Sequence, residues 1–329
     1  MPRVVLSLPL PGPAEAMLRE VATVEVLGAI LHPEAYRRAV AGADALLPQL
    51  RDRIDGATLD AAGPQLRVVA NYAVGFDNID VAACTARGVW VGNTPDVLTD
   101  ATADCTMALL LATARRVVEG DQVMRQGRYR GWEPDYLLGA DVTGQTLGLL
   151  GFGRIGRAVA RRARDGFAMR VLVHDPWLPG PLDEPGITAC GLDALLAAAD
   201  FVSCHVPLTD ETRHLIGAAQ LARMKPSAIL LNTARGPIID EPALVEALRT
   251  GAIRGAGLDV YEGEPALAEG LAACPNCVLL PHLGSATWTT RARMGELAAA
   301  NVLAALRGER PPHCVNPEAA PRAAPPAAR

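Results

Sequence analysis

The segment Leu147-Gly-Leu-Leu-Gly-Phe-Gly-Arg-Ile-Gly156 decides the fold of this chain. Its apolar start predicts a buried strand, and Gly151, Gly153 and Gly156 follow in the GxGxxG spacing. In that spacing the first glycine permits a tight turn, the second lets backbone approach a pyrophosphate, and the third lets a helix pack closely on the strand. The residues from Arg157 onward predict that helix, whose N-terminus favours bound phosphate. The segment therefore predicts a dinucleotide-binding βαβ unit.

An acidic residue stands where such a unit needs one. The apolar run Val171–His174 predicts a second strand, and Asp175 follows it about 20 residues after the last glycine. A carboxylate in that place accepts hydrogen bonds from the ribose hydroxyls of adenosine, and it repels a 2′-phosphate. The next residues, Pro176-Trp177-Leu178, offer no arginine that could bind such a phosphate. The sequence therefore favours NAD as the cofactor, with NADP as the less favoured alternative.

Length and composition are typical of a globular protein with room for two domains. The chain has 329 residues, of which 50% are hydrophobic and 20% are charged. A net charge of −5 argues against a surface that binds nucleic acid. The apolar runs are too short for a membrane helix, and prolines interrupt the N-terminal run that a signal peptide would need. We expect a cytoplasmic protein that binds neither nucleic acid nor membranes.

Cysteines give no sign of a disulfide framework or a metal site. Their number is odd, seven, and without a secretory signal this favours reduced thiols. Cys274 and Cys277 form a CxxC pattern, but a zinc site needs further ligands, and no second cysteine pair supplies them. The pattern also lies in a loop that enters a strand rather than in a thioredoxin-like unit. We expect no metal.

The alternation of strand and helix patterns indicates an α/β protein. The strands predicted before the glycine motif are Val4–Leu8, Thr23–Leu27, Ala45–Leu47, Arg67–Ala70 and Val89–Gly92. The strands predicted from the motif onward end at Leu150, Asp175, His205, Asn232, Asp259 and Pro281. These two groups predict two doubly wound parallel-sheet domains, with the nucleotide-binding fold inserted into the first.

Helical patterns set the expected domain boundaries. One long helix is predicted over Asp100–Glu119 with Thr99 as its cap, and a final helix over Ala286–Arg307 is expected to stop at Gly308. We place the first domain at residues 1–98, the inserted domain at 99–284, and a segment that returns to the first domain at 285–329. The Pro/Ala-rich end of that last segment is expected to be disordered.

Three chemically suited side chains follow predicted strands of the inserted domain: Arg235, Glu264 and His282. Ligands of an open parallel sheet bind beyond the carboxyl ends of its strands, so these side chains could converge. Arginine binds a carboxylate through two parallel hydrogen bonds, and histidine donates a proton near neutral pH, best beside a carboxylate. Those are the requirements of hydride transfer to the carbonyl of a keto acid. His205, at another strand end, is interpreted as a structural residue or a neighbour of the cofactor.

Several segments resemble the D-isomer-specific 2-hydroxyacid dehydrogenases, and within them most closely the glyoxylate/hydroxypyruvate reductases. The segments are Val69–Asp80, Asn93–Asp104, Gly151–Gly156, Asn232–Gly236, Gly257–Pro265 and Pro281–Thr287. The resemblance implies a Rossmann NAD-binding domain inserted into a flavodoxin-like substrate domain. It also implies NADH-dependent reduction of glyoxylate or hydroxypyruvate to the D-2-hydroxy acid.

Residue roles follow from the same resemblance. It implies that Arg235, Glu264 and His282 are catalytic, and that Val74 and Gly75 offer backbone N–H groups to the substrate carboxylate, which Arg235 also binds. It places contacts to NAD at Thr102, Gly151, Gly153, Arg154, Ile155, Gly156, Asp175, Val206, Pro207, Thr212, Thr233, Asp259 and Ser285.

The segment Gly127–Ala140, which we call the arm, is rich in aromatic residues. Tyr129, Trp132 and Tyr136 lie within it, although only 4% of the chain is aromatic. Exposed on a monomer, these side chains would form the kind of apolar patch that marks an interface. Together with the resemblance, this predicts a homodimer formed through the arm, in which Trp132 could reach the partner's substrate cleft.

Other functions within and beyond the family stay open at this point. A reductase of another 2-keto acid, such as 2-ketogluconate, would carry the same residues. A phosphoglycerate dehydrogenase-like enzyme is less favoured, because the loop Ala70–Asp80 has no Lys or Arg for a phosphate and because only roughly 20 residues follow the last helix. An NADH-sensing binding module on the same fold is the most remote alternative.

Overall fold

The computed structural model describes residues 1–178, 180, 182 and 184–319. The end of the tail that was expected to be disordered lies outside these residues. Two compact units divide the chain: Met1–Leu98 with Ala286–Arg329, and Thr99–Ser285. From the sequence we placed the boundaries after residues 98 and 284, and in the structure Ser285 groups with the inserted unit.

The first unit contains a five-stranded parallel sheet in the order β2-β1-β3-β4-β5, the flavodoxin-like order. Its strands are β1 Arg3–Leu6, β2 Thr23–Val26, β3 Ala45–Leu47, β4 Val68–Ala70 and β5 Trp90–Gly92. Between them lie α1 Ala14–Arg19, α2 Pro33–Ala39, α3 Gly56–Ala62 and α4 Val81–Ala86. Side-chain caps start two of these helices, since Asp55 accepts from the N–H of Thr58 and Asp80 from that of Ala83.

The inserted unit contains a seven-stranded parallel sheet in the order β12-β11-β10-β9-β6-β7-β8. Its strands are β6 Thr146–Leu150, β7 Arg170–His174, β8 Ile187–Ala189, β9 Phe201–Cys204, β10 Ile229–Asn232, β11 Gly255–Leu258 and β12 Cys277–Leu279. This is the Rossmann order extended by one strand, and the order reverses between β6 and β9. The predicted α/β class with two parallel sheets is confirmed.

The helices of the inserted unit correct one prediction. They are α5 Thr99–Ala114, α6 Val117–Arg125, α7 Arg154–Phe167, α8 Leu192–Ala198, α9 Ala218–Leu221 and α10 Glu241–Thr250. The single helix predicted over Asp100–Glu119 is wrong, because Arg116 adopts a left-handed conformation with φ of 53° and separates α5 from α6. Thr99 is also the first residue of α5 rather than its cap.

The last helix, α11 Trp288–Leu306, belongs to the first unit. It begins two residues later than expected because Thr287 caps it by accepting from the N–H of Thr290. Gly308 follows its end with φ of 78°, as a stop signal should. Gly295 lies against Ala14 of α1, and the Tyr72 hydroxyl donates to the backbone oxygen of Arg291 at 2.6 Å. The return of the chain to its first unit is therefore fixed by packing and by hydrogen bonds.

Each unit has its own apolar core. Helices cover both faces of the inserted sheet, with Leu195 and Leu244 buried on one side and Leu109 and Val159 on the other. The core of the first unit includes Leu46. No helix within the described ranges is long and apolar enough to cross a membrane.

Candidate active site

The glycine turn has the strand–turn–helix form that the sequence predicted. Gly151 follows β6 with φ of 95°, and a Cβ there would lie 2.8 Å from backbone atoms of His205 and Val206. A Cβ at Gly156 would lie 2.4 Å from the carbonyl oxygen of Gly151, so α7 rests directly on the turn. At Gly153, by contrast, a Cβ would meet none of the described residues within 4 Å. The turn is therefore closed toward the protein and open on the side where a ligand would approach.

Helix α7 begins on this turn. Arg154 and Ile155 are its first residues, and Gly153 is its N-cap without any side chain. The N-terminal N–H groups of an α-helix have no partners within the helix, and the positive end of its dipole is there too. The guanidinium of Arg157 lies over the ring of Phe152, 4.3 Å from its centroid. This end of α7 suits the pyrophosphate of a dinucleotide.

Asp175 follows β7 directly and is tied to the glycine turn. Its Oδ2 accepts from the N–H of Phe152 at 2.8 Å, and its Oδ1 accepts from the N–H of Trp177 at 2.9 Å. The carboxylate is only partly buried, so it also has a side open to a ligand. Asp175 therefore stabilises the turn as well as standing where the fingerprint expects a ribose-binding acid.

Other residues predicted to contact the cofactor come together beyond β9, β10 and β11. Hydroxyls of Thr106 and Thr233 lie 2.9 Å apart, and Thr106 also donates to the backbone oxygen of Thr102. A Cβ at Gly284, beside Ser285, would lie 3.3 Å from Asp259 and 3.4 Å from Thr102. On the loop after β9, next to Val206, the hydroxyl of Thr212 donates to the backbone oxygen of Pro207 at 2.6 Å. The predicted set thus surrounds the carboxyl end of the sheet.

Arg235 lies on the loop that follows β10. The buried side chain of Asn232 shapes this loop, since its Nδ2 donates to the backbone oxygen of Arg235 and its Oδ1 accepts from the N–H of Ala234. The Nη1 of Arg235 donates to the backbone oxygen of Ala234 at 2.8 Å. The guanidinium is thereby held close to its own loop at the end of the strand.

His282 and Glu264 form a pair. The Nδ1 of His282 lies 3.1 Å from both carboxylate oxygens of Glu264, and both side chains are partly exposed. With Nδ1 engaged by the carboxylate, Nε2 is the ring nitrogen left for a ligand. His282 adopts φ of 57°, a left-handed conformation that a non-glycine residue rarely holds without support.

Asp259 provides that support. Its backbone oxygen accepts from the N–H of His282, and its carboxylate accepts from the N–H groups of Leu283 and Gly284 at 2.6 and 2.7 Å. Burial raises the pKa of Asp259, and the two backbone hydrogen bonds oppose that rise. The predicted cofactor contact therefore also holds the loop that carries His282.

The predicted substrate-binding residues Val74 and Gly75 lie in the first unit, after β4. Asn93 donates to the backbone oxygen of Val74 at 2.8 Å, and Asn71 donates to that of Gly75 at 2.7 Å. In a trans peptide the N–H points opposite to the C=O, so the N–H of Gly75 points away from Asn93. The loop is thus held with a defined orientation of its peptide groups, and substrate binding by it stays a prediction.

His205 lies beneath the glycine turn. Its Nε2 is 2.9 Å from the hydroxyl of Ser203, and desolvation lowers its pKa to about 4. The backbone of His205 packs on Gly151, and its neutral imidazole fits the expected role of a neighbour rather than a proton donor.

Comparison with known proteins decides the family. Residues 107–284 match the NAD-binding domain of the D-isomer specific 2-hydroxyacid dehydrogenases. A glyoxylate reductase of Thermococcus kodakarensis is 49% identical over 324 residues, which cover 96% of this chain and 97% of that protein. The chain belongs to this family. The resemblance drawn from the sequence motifs is confirmed.

Solved structures of similar proteins share this fold. A protein of Thermus thermophilus has 50% sequence identity and a TM-score of 0.89, with 95% of this chain and 99% of that one covered. An NADPH-dependent glyoxylate/hydroxypyruvate reductase of Sinorhizobium meliloti, solved with NADP and malonate, has 34% identity and a TM-score of 0.84, with 98% of each chain covered. As a D-2-hydroxyacid dehydrogenase, this protein is an oxidoreductase that uses a nicotinamide cofactor.

The residues present fit that cofactor. The turn at Gly151 and Gly156 admits no side chain on its inner side and is open at Gly153, so a pyrophosphate can approach the backbone. The helix N-terminus and the strand-end acid Asp175 complete the expected donor and acceptor set.

Sequence reasoning missed the residues that hold the loops of Arg235 and Glu264. Asn232 braces the loop of Arg235, and Glu241, a buried acid of α10, braces the loop of Glu264 by accepting from the N–H of Glu262 at 2.7 Å. For Asn232, its position at the end of a predicted strand was a usable signal of this role. No local sequence pattern indicated the role of Glu241.

The cysteines of the CxxC pattern are free thiols. Burial raises the pKa of Cys274 and, to about 12, that of Cys277. A thiol whose pKa is raised is a poor nucleophile, since the thiolate is the reactive form. Among the residues that the structure describes, no three His, Cys, Asp or Glu side chains are grouped as a metal site.

Proposed function

We propose that this dehydrogenase reduces glyoxylate and hydroxypyruvate with NADH, forming glycolate and D-glycerate. The observation that carries the proposal is the pairing of His282 with Glu264 just past the strands of the inserted sheet, since a histidine backed by a carboxylate suits proton donation to a developing alkoxide. The names of similar proteins, glyoxylate reductase and glyoxylate/hydroxypyruvate reductase, support this substrate class.

In the proposed reaction the reduced cofactor, when bound, supplies a hydride to the keto carbon. His282 donates a proton from Nε2 to the carbonyl oxygen, which completes the alcohol. Glu264 holds Nδ1 and stabilises the imidazolium before the transfer. Arg235 binds the substrate carboxylate, because its planar guanidinium can make two parallel hydrogen bonds.

A panel of 2-keto acids tests the proposal. Initial rates are measured with NADH and glyoxylate, hydroxypyruvate, pyruvate, 2-ketogluconate or phosphohydroxypyruvate. We expect the highest kcat/KM for glyoxylate or hydroxypyruvate. A higher value for 2-ketogluconate or phosphohydroxypyruvate would assign the enzyme to one of the alternative substrates. NADH binding without turnover of any acid would instead favour a binding module.

We also propose that NADH is preferred over NADPH, on the strength of Asp175. Replacing Asp175 with Ala and Trp177 with Arg removes the repulsion of a 2′-phosphate and supplies a cation for it. Trp177 is 60% exposed, so the new side chain has room. We expect the ratio of kcat/KM for NADPH to that for NADH to rise roughly 10-fold or more, which corresponds to about 1.4 kcal/mol.

The matched control for this variant is Asp165→Ala, which removes an exposed acid at the far end of α7. It should leave the cofactor ratio unchanged, which separates the local role of Asp175 from the effect of net charge. A wild-type enzyme that already prefers NADPH would contradict this assignment.

We propose a homodimer formed through the arm. Trp132 is 83% exposed and Leu138 is 62% exposed, and Tyr129 and Tyr136 are exposed beside them in sequence. Val117 and Met124 of the preceding helix α6 are exposed too. Side chains of this size lose contact with water on association, and aromatic residues often contribute most to such interfaces.

Light scattering tests the dimer. We expect a particle of twice the 34.5 kDa chain mass, and Trp132→Ala should weaken association. Trp288→Ala is the control, since Trp288 is similarly exposed, at 77%, but lies outside the arm. A monomer of full activity at all concentrations would refute the proposal.

A further inference from the structure

We propose that Glu241 is a positioning residue for catalysis, because its buried carboxylate holds the loop that carries Glu264 against His282. The inference rests on the proposed roles of Glu264 and His282. Glu241 itself touches neither substrate nor cofactor in this proposal; it acts through the loop.

The contacts of Glu241 tie down the loop on both sides of Glu264. Glu241 is 2% exposed, and its Oε1 accepts from the N–H of Glu262 at 2.7 Å. A hydrogen bond from the backbone of Ala268 also reaches this carboxylate. Glu264 lies between these two points, on a turn in which the N–H of Ala266 donates to the oxygen of Gly263 at 2.9 Å. One carboxylate thus sets where the turn of Glu264 begins and where it ends.

The same region joins this loop to that of Arg235. A Cβ at Gly236 would lie 1.9 Å from the carbonyl carbon of Tyr261 and 2.3 Å from the nitrogen of Glu262. The backbones after Arg235 and before Glu264 are therefore in direct contact. Since α10 begins at Glu241, shortly after Gly236, its first residue braces the point at which the two catalytic loops meet.

The hydrogen bonds that the loop donates, rather than packing, explain why position 241 carries a carboxylate. Burial is the largest cause of a raised pKa for Glu241, and the charges of Glu262 and Glu264 add to it, while the backbone groups of Glu262 and Ala268 oppose it. An apolar side chain would fill the space without the cost of desolvating a charge. Only an acceptor, however, can satisfy the N–H groups of the loop.

Ionisable groups of several elements surround this loop, and Tyr261 within it interacts with Glu264, Asp259 and Cys277. Glu262, Glu264 and Cys277 interact with Glu241, and His214 pairs with Glu262 at 2.7 Å. Glu264 and Asp259 are the acids beside His282. Displacement of Glu264 should therefore impair proton donation by His282 and lower kcat, whereas a general loss of stability would not act on this one step.

The test compares Glu241→Ala and Glu241→Gln with Glu246→Gln. We expect Glu241→Ala to lower kcat for glyoxylate roughly 10- to 100-fold, the size of effect expected when a buried hydrogen bond is lost. Each tenfold loss corresponds to about 1.4 kcal/mol. NADH binding should change little. The KM for glyoxylate should stay near its wild-type value, because Arg235 rather than Glu264 binds the substrate carboxylate in the proposed reaction. Glu241→Gln keeps one acceptor oxygen and should be intermediate. Glu246, exposed on the same helix and paired with Arg249, is the control and should behave as wild type.

A wild-type kcat in Glu241→Ala, or a loss that falls on KM alone, would overturn the inference, and if that variant does not fold, the same result in Glu241→Gln would do so. The variant Glu264→Gln distinguishes failure of the role proposed for Glu241 from failure of the proposed Glu264–His282 pair. Should Glu264→Gln retain full activity, both the proposed catalytic pair and this inference fail. With Glu264→Gln impaired, Glu241→Gln should add little to it in the double variant. Fully additive losses would contradict action through Glu264.

Discussion

Replacing His282 with alanine should lower kcat for glyoxylate reduction roughly 10²- to 10⁴-fold, the usual contribution of a general acid. The reason is that Nδ1 is already engaged by Glu264, so Nε2 is the proton source the site offers to the developing alkoxide. Steady-state kinetics at saturating NADH measure the effect. NADH binding, followed by fluorescence titration, should survive, because the glycine turn and Asp175 do not depend on this side chain.

His32→Ala is the control, since His32 is an exposed histidine of the first unit. It should leave kcat unchanged. A His282→Ala enzyme with wild-type turnover would remove His282 as the proton donor, whatever the effect of the control.

Arg235→Lys should lower kcat/KM for glyoxylate roughly 10- to 100-fold, mainly through a higher KM. Lysine keeps the charge but replaces a planar fork with a single ammonium, so a bidentate contact to the substrate carboxylate becomes one charge-assisted hydrogen bond. The measurement is a full saturation curve for the keto acid at saturating NADH, which separates KM from kcat.

Arg249→Lys is the matched control, because Arg249 is exposed on α10 and pairs with Glu246 three residues before it. It should have no effect. Unchanged kinetics in Arg235→Lys would mean that another group anchors the carboxylate.

The fold could be predicted from the sequence largely because its signals are local. The glycine spacing, the apolar strand before it and the acid after the next strand all lie within one βαβ unit, and the observed turn at Gly151 has the positive φ that this pattern requires. The break between α5 and α6 could not be predicted in the same way. Arg116 stands within a continuous helical pattern, and the pattern does not reveal the left-handed backbone that separates α5 from α6 there.

In the candidate site, too, the residues with a local signal could be predicted from the sequence and the residues without one could not. Arg235, Glu264 and His282 each follow a strand, so the rule that ligands bind beyond the carboxyl ends of parallel strands was enough to propose them. The residues that hold their loops in place could not be predicted in this way. Glu241 and Asp259 accept hydrogen bonds from loops that are distant from them in sequence. Such contacts depend on which loops meet in three dimensions, as at Gly236 and Tyr261, and no sequence period encodes that.

The configuration of glycerate formed from hydroxypyruvate and NADH tests the central claim most directly. A single reaction, run to completion and analysed by chiral chromatography, examines the substrate class, the cofactor and the stereochemistry together. We expect glycerate of the D configuration alone, with one NADH oxidised for each molecule formed. L-glycerate, a racemic product or NADH binding without any glycerate would contradict it.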